Sequence, residues 1–285
     1  MRWLKPVEEA QASTKVREIY QQIRRQLHSP FTPLVFQLVA NYEDYLGYLW
    51  KQIGANLQSE AFLNLPPKVS NYAESVTRDW IALHPTLPEF VSKLAPSEKE
   101  ELKKNADELT AINATLTLLT IAERESLKGI PVGVLKLVSK TSSEAATFSE
   151  IAVEKFAHYS LVPTETVTTQ LSPAAALLAP LTGNQQLAVS KYAQFFEIVG
   201  HFMDKLLKTE TYLKHRVILE ELVQNLVPQI PQPLTITQQQ FMDLTENSPQ
   251  AKHVHELFFL LHDLFPSKFP HLVFTSAIMK QALKV

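Results

Sequence analysis

The residues here whose types and spacing could do chemistry are few. Asn113 sits inside LTAINATLTLLTIAERES at 109–126, a helix-period pattern whose flanks are apolar. A buried amide must satisfy several hydrogen bonds, so an Asn in such a place serves packing specificity, a bend or a site. His253, His255, His262 and His271 crowd into HVHELFFLLHDLFPSKFPH. His255 and His262 are seven apart and share a helix face, as metal ligands would. No HExxH or ExxH pair accompanies them, and a carboxylate-bridged metal site needs such pairs. Ordinary surface or hydrogen-bonded histidines are the simpler reading, and no metal is expected. Glu154/His158 and Glu197/His201 are E-x-x-x-H pairs at i,i+4. They could orient a base or bind a metal, but the same spacing arises as a plain helix-surface contact.

Other chemistries are narrowed by composition. The 285 residues contain no Cys, which removes disulfides, thiolate metal sites and Cys nucleophiles. With six Gly, and neither GxGxxG nor GxxxxGK[ST], a phosphate-cradling loop is nearly excluded. A net charge of −2 gives no reason to expect nucleic acid or an anionic membrane as partner. No apolar run reaches the roughly 18 residues that span a bilayer. The polar start MRWLKPVEEAQAS does not read as a secretory signal, so a cytoplasmic location is expected by default. The mixed charges of EKEELKKNADE at 98–108 read as a solvated helix face. Phe195/Phe196 and Phe258/Phe259 fall on apolar stripes and read as core, and no Ser-His-Asp arrangement carries a local signature.

The elements that must position these residues are helices. Ser29-Pro30, Ser172-Pro173 and Ser248-Pro249 pair an N-cap with a residue suited to the first helical position. Ser97 and Glu100 have the spacing of a capping box. The pattern predicts about ten helices, near 7–27, 30–40, 42–58, 66–83, 97–126, 143–159, 173–190, 192–208, 210–226 and 249–283. The last is expected to break between Phe265-Pro266 and Phe269-Pro270. LVPQIPQPL at 226–234 is expected to be a non-helical loop.

One helical unit occurs twice. NYEDYLGYLWKQIGANLQSEAFL at 41–63 aligns without gaps on KYAQFFEIVGHFMDKLLKTETYL at 191–213, with four identities. Tyr42, Tyr45, Leu46, Leu49, Ile53 and Leu57 correspond to Tyr192, Phe195, Phe196, Val199, Met203 and Leu207, one apolar stripe in each. The expected organisation is a repeat over 1–127, a linker over 128–145 with Gly129, Pro131 and Gly133, and a second repeat over 146–285. Two such units facing each other would form an internal pseudo-dimer with a pocket at their interface.

This layout resembles the group I 2-haloacid dehalogenases, the DehI type, an all-α fold of two pseudo-symmetric repeats. The similarity runs from Ile19-Tyr20 through Ser29-Pro30-Phe31 to Trp50. It continues from Asn113 through Leu118-Leu119 and Glu125-Ser126 to Pro131-Val132-Gly133, and returns around 183–213. More distantly, each unit is similar to the AhpD-type helical fold, without that family's CxxC. The resemblance implies hydrolysis of a short 2-halocarboxylic acid by direct attack of an activated water, with no cofactor. It puts the family's water-positioning Asn on Asn113 and its catalytic Asp on Asn184, beside Gly183. The apolar pocket lining falls on Phe31 and Leu34. An amide accepts no proton at neutral pH, and no Asp or Glu lies between Glu165 and Glu197. Two readings therefore stand: a hydrolase with its base elsewhere, or a small-molecule carboxylate binder on the same scaffold. A homodimer is compatible with either.

Overall fold

The computed structural model describes residues 4–82, 86–133 and 192–284. Within them the fold is all-α, with no β-strand and one isolated antiparallel bridge, Val132 to Leu234. The elements are α1 (Thr14–Gln26), α2 (Leu34–Val39), α3 (Glu43–Leu57), α4 (Glu60–Leu63), α5 (Pro66–Ala82), α6 (Thr86–Ser92) and α7 (Pro96–Leu127). After residue 191 come α8 (Ala193–Leu206), α9 (Glu210–Leu226), α10 (Gln238–Thr245), α11 (Val254–Phe259) and α12 (Phe265–Ala282). No helix among the described residues is long and apolar enough to cross a membrane.

The two longest helices, α7 and α12, pack along each other at the centre, and α5 lies against both. The C-terminal half of α7 and most of α12 are wetted little: Leu116, Leu118, Leu119, Ile121 and Ala122 of α7 and Val273, Phe274, Ala277 and Ile278 of α12 are buried. Burying this much of a helix puts hydroxyls in the core, and they are answered locally. Thr110, Thr117 and Thr120 donate to the carbonyls of Ala106, Asn113 and Leu116. Each threonine thus satisfies itself one turn back and leaves the helix intact.

α11 runs into α12 without the expected break. Pro266 has no N–H and would clash with the carbonyl four residues earlier in regular α geometry. The chain responds with a π turn over Leu260–Leu264, in which the Phe265 N–H reaches Leu260 O, five residues back. The wider turn accommodates the proline and lets the helix continue, with Pro270 also carried inside α12.

Other expectations shift by local chemistry. Residues 7–12 are not helical, since Val7 N–H is held by Gln37 O and Ser13 caps α1 through Val16 N. Ser29 caps no helix; its hydroxyl closes a turn on Phe31, and α2 starts only after Pro33. At the start of α7 it is Glu98, not Glu100, that reaches back, to Ala95 N–H at 2.9 Å. The expected loop at 226–234 contains a 3-10 turn over Val227–Gln229, because Pro228 is tolerated in a first turn. The helix at 238–245 was not anticipated, although Thr237 and Gln240 form a full capping box there.

The segments 41–63 and 191–213 share their punctuation. Tyr42 and Tyr192 precede α3 and α8, and Ser59 and Thr209 precede α4 and α9. Phe62 and Tyr212 then occupy the core at aligned positions.

Candidate functional site

Asn113 lies mid-way along α7, in an uninterrupted helix, and faces α12. Its Nδ2 donates to Leu272 O at 3.2 Å and lies 3.5 Å from Ser276 Oγ. The Ser276 hydroxyl, itself buried, donates to the same Leu272 carbonyl at 2.8 Å. A carbonyl can only accept, so the amide nitrogen must be the end turned toward α12. Among the described residues the Asn113 Oδ1 accepts no hydrogen bond. The side chain is half-buried. Such an amide has its orientation set by the protein and its oxygen left to accept an O–H from a bound molecule.

Phe31 and Leu34 sit where the chain turns from α1 into α2. His28 at φ 49° reverses the chain, Ser29 pins the backbone of Phe31, and the Phe31 ring is buried. Leu34 opens α2 and is half-buried against the same core. Both are apolar wall, while the hydrogen bonds of Asn113 go to α12 and not to this turn. Gly183 and Asn184 lie outside the described residues, as do Glu154 and His158.

The histidines divide into two kinds. Glu197 and His201 are exposed on α8, 3.7 Å apart, as a helix-surface pair. His253 contacts Glu256 at 3.1 Å, and His262 contacts Asp263 at 3.1 Å within the π turn. His255 lies before that turn, on α11. No group of three or more potential metal ligands occurs among the described residues. His271 alone of the late histidines goes inward, to hydrogen-bond the Tyr212 hydroxyl.

A buried acid was missed in the sequence. Glu123 of α7 is 2% exposed, and the Tyr45 hydroxyl of α3 donates to its Oε1 at 2.6 Å. Burial pushes the Glu123 carboxyl up to about 7, against the opposing effect of the tyrosine hydrogen bond. The Phe241 ring packs edge-on against Tyr45 at 4.9 Å. The signal was present: Glu123 follows Leu116 and Leu119 by seven and four residues, which is core spacing. Glu123 is ten residues from Asn113, roughly 15 Å along the helix, so it belongs to another part of the core.

No protein-family model matches this chain, and no curated protein matches it. Solved structures do. A D-2-haloacid dehalogenase mutant in complex with D-2-CPA is similar with a TM-score of 0.68 and 14% identity, over 98% of this chain and 96% of that one. A D-2-haloacid dehalogenase in complex with L-LA matches with a TM-score of 0.67, again at 14% identity and the same coverage. At this identity the similarity shows a shared fold along nearly the whole of both chains.

Proposed function

We propose that this chain takes a short 2-halocarboxylic acid on a scaffold of the 2-haloacid dehalogenase type. The observation that carries the reading is the near end-to-end likeness of fold, 98% of this chain on 96% of a dehalogenase. Asn113 supports it from the residues upward. Its nitrogen is committed to Leu272 O, which leaves Oδ1 to hold one O–H of an attacking water.

In the proposed reaction that water attacks the carbon bearing the halogen. A C–O bond forms, the C–halogen bond leaves with its electron pair as halide, and the water's proton passes to a base. Asn184 stands where the resemblance puts that base, and its amide can orient water but takes no proton. Turnover therefore depends on a carboxylate elsewhere in the pocket. The second reading, a binder of small carboxylates without turnover, draws on this substitution. On either reading we place the pocket between two pseudo-symmetric units, 1–127 and 146–285 with a linker over 128–145, arranged as an internal pseudo-dimer lined by Phe31, Leu34 and Gly183.

The test is halide release from a panel of short 2-halocarboxylic acids by wild type, Asn113→Ala and Asn184→Asp. Release by wild type that is lost in Asn113→Ala supports the hydrolase. An inert wild type with activity gained in Asn184→Asp supports the binder on a site that lacks its base. Inactivity of all three, without saturable binding of the acids, overturns both readings.

A further inference from the structure

The threonines within a turn of Asn113 on α7 keep their protons inside that helix. Thr110 donates to Ala106 O at 2.7 Å, Thr115 to Ala111 O at 2.9 Å, and Thr117 to the Asn113 main-chain carbonyl at 2.7 Å. Across the seam, Ser276 of α12 is 2% exposed and has two carbonyls of its own helix in reach, Leu272 O at 2.8 Å and Val273 O at 3.1 Å. A hydroxyl carries one proton, and both places for this one lie within α12. None of these hydroxyls spends its proton on Asn113 Oδ1.

The other end of the amide has two oxygens before it. Asn113 Nδ2 lies 3.2 Å from Leu272 O and 3.5 Å from Ser276 Oγ, and those oxygens are 2.8 Å apart. Seen from Nδ2 the pair subtends a narrow angle, so one N–H is shared between them as a three-centre bond. The Ser276 proton has two positions that leave this sharing possible. On Val273 O it frees Leu272 O for the amide, and on Leu272 O it frees the Ser276 lone pairs. In both cases α12 offers Asn113 an acceptor. A flipped amide would meet the reverse. Its Oδ1 would stand against Leu272 O and Ser276 Oγ together, and a proton would reach it only if Ser276 gave up both carbonyls.

We propose that Ser276 is a positioning residue for Asn113, holding the amide so that Oδ1 receives an O–H from a bound molecule. The inference rests on the reading of Asn113 given above and extends it to the product. The oxygen of the attacking water becomes the hydroxyl of a 2-hydroxy acid. The acceptor that holds the water therefore also holds the product's hydroxyl, and a 2-hydroxy acid binds more tightly than the same acid without it.

The test follows the Asn113 side-chain NH2 resonances of the full chain by NMR, assigned by their loss in Asn113→Ala. Wild type is compared with Ser276→Ala and Ser276→Cys, the second of which keeps a side chain of similar size but offers only a weak acceptor. Solvent exchange of the shared N–H should quicken about fivefold in both variants, the equivalent of one ordinary hydrogen bond. The Asn56 side-chain amide, bonded to Gln52 O and Gln232 O, is the control and should not change. Each enantiomer of 2-hydroxypropionate, and propionate, are then titrated into the same proteins. A preference for the hydroxy acid is expected in wild type, lost in Asn113→Ala and reduced in both Ser276 variants. Unchanged exchange at Asn113 overturns the role of Ser276 whatever the acids do, as does an equal quickening at Asn56, which marks general loosening. Quickening at Asn113 alone, with no preference for the hydroxy acid in wild type, leaves Ser276 holding the amide but overturns the reception of an O–H, and with it the reading of Asn113.

Discussion

The hydroxyl of Tyr45 on α3 donates to the carboxyl of Glu123 on α7 across 2.6 Å of closed core, with both side chains buried. Glu123 holds its proton up to about 7 when folded, against an ordinary value of 4.5. The folded state therefore binds more protons than the unfolded state between those values. The contribution is fully present below about pH 4.5 and is lost as pH rises through 7, by roughly 3 kcal/mol in all. Urea denaturation of wild type and Glu123→Gln at pH 5, 6 and 8 checks this. The difference between the two proteins should move in favour of the variant as pH rises, and a constant difference would refute it.

Tyr45→Phe keeps the ring against Phe241 but removes the donor to a buried acid. A loss of about 1–3 kcal/mol is expected, because Glu123 is left without that partner in the core. In the Glu123→Gln background the same change should cost a different amount, since the two residues are in contact. A double-mutant cycle by denaturation measures the coupling; additivity would mean the bond contributes nothing.

His271 works in the opposite direction. Its folded value of about 4 lies below the ordinary 6.5, so the folded state binds fewer protons in that window. Stability conferred by the neutral ring is present above about 6.5 and declines toward pH 4, by roughly 2–3 kcal/mol. Acid unfolding of His271→Gln, followed by circular dichroism, should be shallower than that of wild type across this interval.

Gly133 is at φ 84°, and a Cβ there would stand 2.7 Å from Ile230 O and 3.0 Å from Pro233 Cα. Its N–H donates to Val227 O, next to the bridge from Val132 to Leu234. Gly133→Ala should cost about 2 kcal/mol or more, from the left-handed backbone and the clash with main chain. Gly129, at φ 76° with open space around it, should be milder when changed the same way. Melting temperatures of the two variants give the comparison.

Asn56, fully buried, clasps the backbone of Gln232 with both ends of its amide, accepting from N–H at 2.8 Å and donating to O at 2.9 Å. Asn56→Ala should destabilise by about 2–3 kcal/mol, because it leaves two main-chain groups without partners. Asn56→Asp should be comparably poor, since a carboxylate cannot donate to Gln232 O. Retention of wild-type stability by either would remove the clasp from the account.

The local rules of a helix are short-ranged, and so they are legible in the sequence. Bounds such as 210–226 for α9, the paired halts before Glu60 and Glu210, and the buried stripe of α3 follow from caps and 3.6-residue spacing alone. Proline was legible as a disturbance but not in its outcome, because a π turn keeps the helix intact only where the surrounding core holds both sides of it. What Asn113 and Glu123 do was decided by partners 159 and 78 residues away. Which end of an amide faces a carbonyl, and whether a carboxyl keeps its proton, depend on desolvation and donors supplied together by several helices. That sum exists only once α3, α7 and α12 are packed.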